Sequence, residues 1–341
     1  MGRPTIRLRD IAEKTGFSTN TVSLALRDSP RIPKQTRDLI RAAADELNYL
    51  PNQIAKSLVS RETRTIGLVL TDMTNTILTQ TAQALEIALA ARGYSTLFAT
   101  SNNTLIEEIR VVEMFRSRQV DGMLIYPSAH NELDHIRRLR RARYPVVLLV
   151  GDPDSGLDAV SVDDRNGAYK ATRHLIDLGH KRIALLDSAS HFGNAEKREG
   201  YQRALGEAGL DFDPALVVEP AGHAASLGYA ATELVLAANR ANPPTALFAA
   251  TDSLAIGALR WCHEHRIDVP GDLAIIGFDN TEYGEYAAVP LSTIDYAAEL
   301  ISAKAVDRLM QLIDARDHLP EPEVTLIDPA LIIRQSTGPA R

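Results

Sequence analysis

From Thr65 to Phe278 the chain alternates short apolar runs with longer stretches of mixed polarity, a texture that leaves few folds open. TIGLVL (65–70) reads as a buried strand, and a helix over Leu78 to Arg92, closed by Gly93, follows it. Strand Ser95–Thr100, helix Leu105–Arg116, strand Asp121–Tyr126, helix Glu132–Arg143 and strand Val146–Val150 come next. The alternation resumes with helix Gly167–Leu178, strand Arg182–Asp187, helix Glu196–Ala208 and a short strand near Leu216–Val218. It continues with helix Ser226–Asn239, strand Ala246–Ala249, helix Leu254–His265 and strand Leu273–Phe278. This is a parallel, doubly wound pattern. There are too many units for one sheet of usual size, so two successive α/β subdomains are expected. Ligands of such sheets sit beyond the carboxyl ends of the strands, and a cleft between two sheets doubles that edge.

The first sixty residues have a different character. In LRDIAEKTGFSTNTVSLAL, Leu8, Ile11, Ala12 and Thr15 fall on one helix face, and Gly16 stands where a helix ends in a left-handed residue. Ser18 offers a hydroxyl to cap a second helix, whose apolar side is Val22, Ala25 and Leu26. Two short helices joined by such a turn make a helix-turn-helix, and Thr19, Asn20, Thr21 and Ser23 give the second one hydrogen-bonding side chains. An ordinary helical hairpin has the same pattern, so both readings stand on these residues alone. A third helix is expected over Ile32–Leu47, with Ile40, Ala43, Ala44 and Leu47 on one face and Pro33 near its start. After Pro51, Asn52 can cap a segment of about nine residues, too short for a stable isolated helix. That segment is either a linker or one that folds against something. In the second case Leu58 suits wedging into a minor groove, and Lys56 and Arg61 suit phosphates.

Charge is divided between these regions. Residues 1–64 hold twelve Lys/Arg and seven Asp/Glu, whereas the other 277 hold 25 and 37. A basic module on an acidic body suggests that only the first part touches phosphate. The single cysteine, Cys262, excludes an internal disulfide and fits a reducing compartment. No apolar run approaches the roughly 18 residues of a membrane span. The start, MGRPTIRLRD, has no signal-peptide core, so a cytoplasmic location is expected. There is no phosphate loop, no G-x-S-x-G elbow and no Cys/His metal spacing; His174 and His180 are six apart, His263 and His265 two. The chain is read as a non-enzyme without cofactor or metal. The charge cluster Arg137–Arg143 is read as a solvated helix face.

RDIAEKTGFSTNTVSLAL, LNYLPNQIAKSL, RTIGLV, LGHKRIALL, PPTALFAATDSLAIGAL, VPGDLAIIGFDN and the ending LIIRQST together resemble the lac-repressor-type (LacI) family of bacterial regulators. The resemblance runs in register from about Thr5 to Thr337. It implies an all-α helix-turn-helix headpiece (1–50), a hinge helix (51–62) and an α/β core of periplasmic-binding-protein type (63–341). One subdomain of that core would be 63–161 plus 291–323, and the other 162–290 plus 324–341. It further implies a homodimer on a pseudo-palindromic double-stranded operator, with the hinge segments side by side in the minor groove and Leu58 inserted. A small polar effector, a carbohydrate by family habit, would bind between the subdomains and release the DNA. The ending after Arg334 carries no heptads, so a dimer is preferred to a tetramer. A solute-binding protein without DNA activity is the different-class alternative, and the basic hairpin counts against it.

The candidate DNA-contacting residues are Arg9, Ser18, Thr19, Asn20, Thr21, Ser23, Arg27, Asn52, Ala55, Lys56 and Leu58. The candidate effector residues are Ile77, Leu78, Tyr126, Ser128, His191, Phe192, Lys197, His223, Thr251 and Asp279. Asp279 matches the family acid that receives ligand hydroxyls, although Asp279-Asn280 also reads as a simple strand-to-loop turn. Asp252 is expected to cap the next helix, with Thr251 facing the ligand. The sequence departs from the family at several places. Leu24 stands where an arginine is common in the recognition helix. Arg7 replaces the threonine that usually caps the first helix, and Asn75-Thr76 replaces Asn-Pro after the first core strand. Lys197 stands for a cleft arginine, which loses a bidentate grip. Val150 stands where many members carry an acid, so a less polar cleft is expected.

Overall fold

A computed structural model describes residues 6–49, 62–151, 153–187 and 195–340. The chain divides into two compact units, 1–63 and 64–341. Asn52, Ala55, Lys56, Leu58, His191 and Phe192 lie outside the described residues.

The first unit holds α1 (Leu8–Thr15), α2 (Thr19–Leu26) and α3 (Lys34–Glu46). Gly16 has φ +75° and ends α1, and the Ser18 hydroxyl accepts the Thr21 N–H at 3.1 Å to start α2. Arg7 cannot accept such a bond. The Asp10 carboxylate instead accepts the Arg7 N–H at 2.7 Å, so the start of α1 is tied from within the helix. Helix α3 begins two residues later than its apolar pattern suggests, because Pro33 is extended at its N-cap. Ile11, Val22, Ala25 and Ile40 are fully buried and form a small core with Ala12, Ala43 and Ala44.

The second unit contains two main parallel sheets. The strands are β1 (Thr65–Leu70), β2 (Ser95–Thr100), β3 (Gly122–Ile125), β4 (Val146–Leu148), β5 (Ala159–Val162), β6 (Ile183–Leu186), β7 (Val217–Val218), β8 (Ala246–Ala249), β9 (Ala274–Ile276), β10 (Thr293–Ile294), β11 (Val324–Ile327) and β12 (Leu331–Ile332). One sheet runs β11-β5-β4-β3-β1-β2, the other β7-β6-β8-β9, and β10 pairs antiparallel with β12. The registers are parallel throughout both main sheets, for instance Ile66 opposite Gly122 and Ile183 opposite Ala246.

Period-2 alternation sorts the strand residues between two helical layers. Ile66, Leu68 and Leu70 belong to a core with α4 (Thr76–Ala90) and α12 (Ala298–Asp314), whereas Val69, Met123 and Ile125 meet α5 (Leu105–Ser117) and α6 (Asp134–Arg141). In the second sheet Ile183, Leu185 and Phe248 pack with α7 (Asp164–Asp177) and α8 (Glu196–Glu207). Ala184, Leu186 and Leu247 pack with α9 (Ala225–Ala238) and α10 (Asp252–His265). A short α11 (Glu282–Glu285) follows β9.

Several expectations are corrected. Strand β5, strand β11 and helix α12 are not among the expected elements; β5 is the stretch AVSV, bounded by no glycine or proline, whereas Ile301, Ala305, Leu309 and Leu312 give α12 an apolar face at helical spacing. Strand β11 pairs in parallel with β5, Val324 opposite Ala159, so 324–327 belongs to the first sheet and not to the second subdomain. Conversely, Ser292 and Asp295 bridge to Ile276 and Asp279, which keeps 291–295 beside the second sheet. The cluster Arg137–Arg143 is not a purely solvated face. Arg140 and Arg308 both grip the fully buried Asp158 carboxylate, Arg308 Nη2 at 2.6 Å, and fasten α6 and α12 to the start of β5. Asn75 caps α4 by accepting the Ile77 N–H at 3.3 Å, which moves the helix start to Thr76.

Helices α9 and α10 approach through glycine. A Cβ on Gly257 would lie 1.9 Å from the Ala225 carbonyl oxygen, and one on Gly228 2.2 Å from that of Leu254. Backbone cannot yield as a side chain end can. Gly257→Ala is therefore expected to destabilise the core by about 2–3 kcal/mol; an unchanged melting temperature in a calorimetric scan would show that the helices do not pack this closely.

Candidate effector cavity and nucleic-acid interface

In the first unit, the loop-proximal end of α2 is its exposed end. Ser18, Thr19 and Asn20 are exposed, while Thr21 and Ser23 are half-buried. The Ser18 and Thr21 hydroxyls hydrogen-bond each other at 2.9 Å, so they help hold the helix start as well as facing outward. Thr19 and Asn20 are the exposed side chains of the first turn. Arg27 folds back on Ser23, donating to its carbonyl and hydroxyl oxygens at 3.1 and 3.0 Å. Arg9 pairs with Glu13 at 2.8 Å on the exposed side of α1. Leu24 is half-buried, so it contributes to packing as well as to the surface.

In the second unit a cavity of about 680 Å³ opens where strands of both main sheets end. Thr71 and Asp72 follow β1, Tyr126 follows β3, Val150 follows β4, Asp187 follows β6, Ala250 and Thr251 follow β8, and Asp279 follows β9. This is the carboxyl edge that doubly wound sheets use for ligands, supplied here by two sheets.

Asp279 is the most constrained residue of the site. It has φ 123°, Asn280 follows at φ 59°, and neither is glycine. Such backbone persists only when its surroundings dictate it. Here the Asp279 N–H donates to the Ile294 carbonyl at 2.8 Å and its own carbonyl accepts the Tyr296 N–H at 3.4 Å. Burial pushes its carboxyl well above the ordinary range; Lys197 opposes that rise, and Asp252 and Asp164 add to it.

Lys197, on the first turn of α8, is buried among opposing influences. Its ammonium donates to the Ala250 carbonyl at 3.0 Å, lies 3.3 Å from Asp164 and sits 3.9 Å from the centre of the Phe278 ring. Burial disfavours its charge, but Asp164, Asp279 and Asp187 outweigh that and raise its pKa. Tyr126 and Tyr296 hydrogen-bond hydroxyl to hydroxyl, and burial raises both phenols. His223 is lowered to about 4, first by burial and then by Lys197.

The structure brings together Ile77, Leu78, Tyr126, Lys197, His223, Thr251 and Asp279 around the cavity. It does not bring Ser128. That residue turns away, its N–H donating to Glu108 at 2.5 Å and its hydroxyl to Ser101 at 2.7 Å, in a buried group completed by His135 on Glu108 at 2.7 Å. Thr251 lines the cavity as expected, and it also takes the capping role expected of Asp252. Thr251 Oγ1 accepts the Leu254 N–H at 3.2 Å and so caps α10 while also lining the cavity. Asp252 is fully buried behind the wall.

Sequence reasoning missed Asp72, His130, Asp164, Asp187 and Tyr296. Asp72 and Asp187 were findable, since both stand at or just past the end of a predicted strand. Asp164 and Tyr296 adjoin β5 and β10, which are not among the expected strands. Val150 does line the wall, but the expectation of a less polar cleft is overturned by four carboxyl groups that come from other strand ends.

Residues 7–52 match the model for bacterial regulatory proteins of the lacI family, and residues 172–337 match that for a periplasmic binding protein-like domain. The chain is 30% identical over 335 residues to the HTH-type transcriptional repressor PurR of Vibrio atlanticus (strain LGP32), spanning 96% of this chain and 98% of that protein. It superimposes on the lac repressor dimer bound to operator and the anti-inducer ONPF with TM-score 0.87, at 25% identity, over 98% of this chain and 99% of that one. It superimposes on the LacI family transcriptional regulator from Enterococcus faecium with bound ribose with TM-score 0.70, at 28% identity, over 81% of this chain and 100% of that one.

A helix-turn-helix unit and a two-sheet core with a ligand-sized cavity define the class: a DNA-binding regulator with an effector-binding core. The chain belongs to the lacI family of bacterial regulatory proteins, and it is a transcriptional repressor. Among the described residues no helix is long and apolar enough to cross a membrane.

Behind the cavity wall, Asp252 predicts a pH signature. Its carboxylate accepts the Thr281 N–H at 2.7 Å, the Thr281 hydroxyl at 3.1 Å and the Thr293 hydroxyl at 2.6 Å. Burial nevertheless pushes it from 3.8 up to about 6. Between those values the folded state binds more protons than the unfolded one, so the Asp252 contribution to stability falls as pH rises. His223, lowered from 6.5 to about 4, acts with the opposite sign, since the unfolded state then binds more protons. Asp252→Asn removes the first effect, together with the part of the Asp279 rise that Asp252 contributes, which has the same sign. The stability of that variant, measured by denaturant titration, should rise more steeply from pH 4 to 6 than that of the parent. Parallel curves would show that Asp252 is ionised throughout.

Proposed function

We infer that this repressor acts as a homodimer on a pseudo-palindromic operator, and that a small polar effector, a carbohydrate, controls its affinity from the cavity between the two main sheets. The observation that carries this reading is the cavity itself, at the carboxyl ends of strands from both sheets, with a strained and buried Asp279 facing it. Hydrogen-bonding side chains from both sheets converge there, including Thr251, Tyr126 and Tyr296, and adjacent hydroxyl groups of a polyol are suited to such a set. The solved relative with bound ribose supports the same ligand class.

In this reading the core comprises a subdomain built on the six-stranded sheet and one built on the four-stranded sheet. Effector binding closes them on each other and biases a two-state equilibrium. The pair of 51–62 segments folds in the minor groove with Leu58 inserted, while Thr19, Asn20 and the neighbouring residues of α2 read base edges. The protein works in the cytoplasm.

A gel-shift titration on DNA upstream of the chain's own gene tests the regulator. A salt-sensitive, sequence-selective complex is expected, weakened by the effector; no selective complex in any ligand state would refute it. Asp279→Ala should still retard the DNA but lose its response to effector, and a preserved response would remove Asp279 from the site. Leu58→Ala should weaken specific binding by about tenfold or more while changing non-specific binding little, because wedging matters only where the duplex is kinked. Equal losses for both would count against insertion.

A further inference from the structure

Three loops of the six-stranded sheet reach the cavity. Thr71 follows β1, Asn103 follows β2, and Tyr126, Pro127 and His130 follow β3. Behind them, near the start of α5, Glu108 is fully buried; Ser101 is equally so, and Ser128 and His135 nearly so. One Glu108 oxygen accepts the Ser128 N–H at 2.5 Å, and the other meets Nε2 of His135, from α6, at 2.7 Å. The Ser128 hydroxyl donates to that of Ser101 at 2.7 Å, and the Ser101 hydroxyl to the Leu70 carbonyl, at the end of β1, at 3.4 Å. Asn103, two residues beyond Ser101 and at φ 56°, donates its N–H to the Thr71 carbonyl at 3.1 Å.

Such a group is a costly way to fill space. A buried carboxylate needs all of its partners, and apolar side chains of similar volume would stabilise the layer at least as well. The surrounding layer is apolar, with Val112, Phe115 and Leu133 in it. What an apolar filling would lack is a hold on the backbone of an irregular loop. From Tyr126, whose N–H donates to the Val69 carbonyl at 2.9 Å, the chain runs to Leu133 without helix or strand. Its own backbone bond, from the Glu132 N–H to the Ala129 carbonyl, is 3.4 Å long. Glu108 grips that loop at Ser128, midway between Tyr126 and His130.

We propose that Glu108 is the positioning residue for this side of the effector site. Through Ser128 it fixes where Tyr126 and His130 stand, and through the Ser128–Ser101 link it ties in the loop that carries Asn103, so that a ligand meets a surface already formed. This rests on the reading of the cavity as the effector site. The placement of the loops is measured on ligand-free protein, so the outcome is independent of what the cavity binds.

The test uses the full chain without ligand and two variants. Glu108→Gln keeps the geometry, because the amide oxygen accepts the Ser128 N–H while the amide N–H donates to His135 Nε2, the ring proton moving to Nδ1. Glu108→Ala removes both contacts. Hydrogen exchange within 128–130 should be about tenfold faster or more in Glu108→Ala, the scale of one hydrogen bond to a charged group, and close to the parent's in Glu108→Gln. NMR titration of the His130 imidazole gives a second readout. Burial holds this ring below its ordinary 6.5; Asp164 and Glu108 oppose that, and Lys197 adds to it. Glu108→Gln should lower it further, since a carboxylate charge is lost from a ring still buried. Glu108→Ala should raise it, since burial, which outweighs the charges, is lost with the loop. Ser101→Ala cuts the link between the two loops, leaves Glu108 in place and serves if Glu108→Ala impairs folding; faster exchange within 101–103 and 128–130 is expected of it. A His130 shift in the same direction in both Glu108 variants overturns the proposal. So does unchanged exchange within 128–130, or exchange that quickens equally across β1 to β4, which would make Glu108 a residue of general stability alone.

Discussion

The site depends on a buried carboxylate that itself does not line the cavity. Asp252, the first residue of α10, collects three hydrogen bonds from Thr281 and Thr293, and its own N–H donates to the Phe278 carbonyl at 2.6 Å. It thereby holds the exit of β9 against β10, and between those two fastenings lies Asp279 in its positive-φ conformation. The space around it is tight, most of all at Gly277. A Cβ on Gly277 would fall 2.3 Å from Asp252 Oδ1, and one on Gly284 3.3 Å from Oδ2. A charge so placed is stabilising only while all its partners remain, since each lost bond leaves a desolvated carboxylate. The strain at Asp279 is thus sustained by a knot one layer behind it, which is how a ligand-binding carboxyl can be held in a conformation that its own backbone disfavours.

Where periodicity was strong, the fold was legible. Strands β1, β2 and β8 have the bounds expected from TIGLVL, STLFAT and ALFA; β1 and β8 are buried almost throughout, whereas β2, at the sheet edge, is half-buried to exposed. Strand β5 escaped because AVSV is short and half small residues, and it is a strand only through partners on both sides, β4 and β11. The missing β5 concealed Asp164, and the unread stretch after Phe278 concealed Tyr296. Long-range pairing, invisible in a linear pattern, thus accounts for both absences. Ser128 shows the converse limit. It stands just past a strand, as a cavity residue should, but the buried Glu108 carboxylate takes its N–H and turns it inward. The passing of the cap from Asp252 to Thr251 has the same origin, since both residue types cap helices and the positions of Thr281 and Thr293 draw the Asp252 carboxylate away.

The core also fixes the point at which the chain enters it, and this bears on how a cavity could govern a distant surface. Arg64, at φ 50°, donates its N–H to the Asp121 carboxylate at 2.8 Å, and its carbonyl accepts the Ser95 N–H at 2.8 Å. Its guanidinium stands 5.1 Å from the centre of the Tyr94 ring, and the Asp121 N–H donates to the Thr65 carbonyl at 2.8 Å. The entry is therefore fastened to β2 and to the turn before β3, and through them to the six-stranded sheet. That sheet reaches the cavity through Asp72 and Tyr126, at the opposite ends of β1 and β3 from the entry. A ligand drawing those ends toward Asp187 and Asp279 on the other sheet must turn the whole layer, because packed strands transmit displacement instead of absorbing it. In the dimer proposed above, two such entries would change their separation as both layers turn, and that separation would then bear on the proposed pairing of two short segments, since neither is long enough to form a stable helix alone.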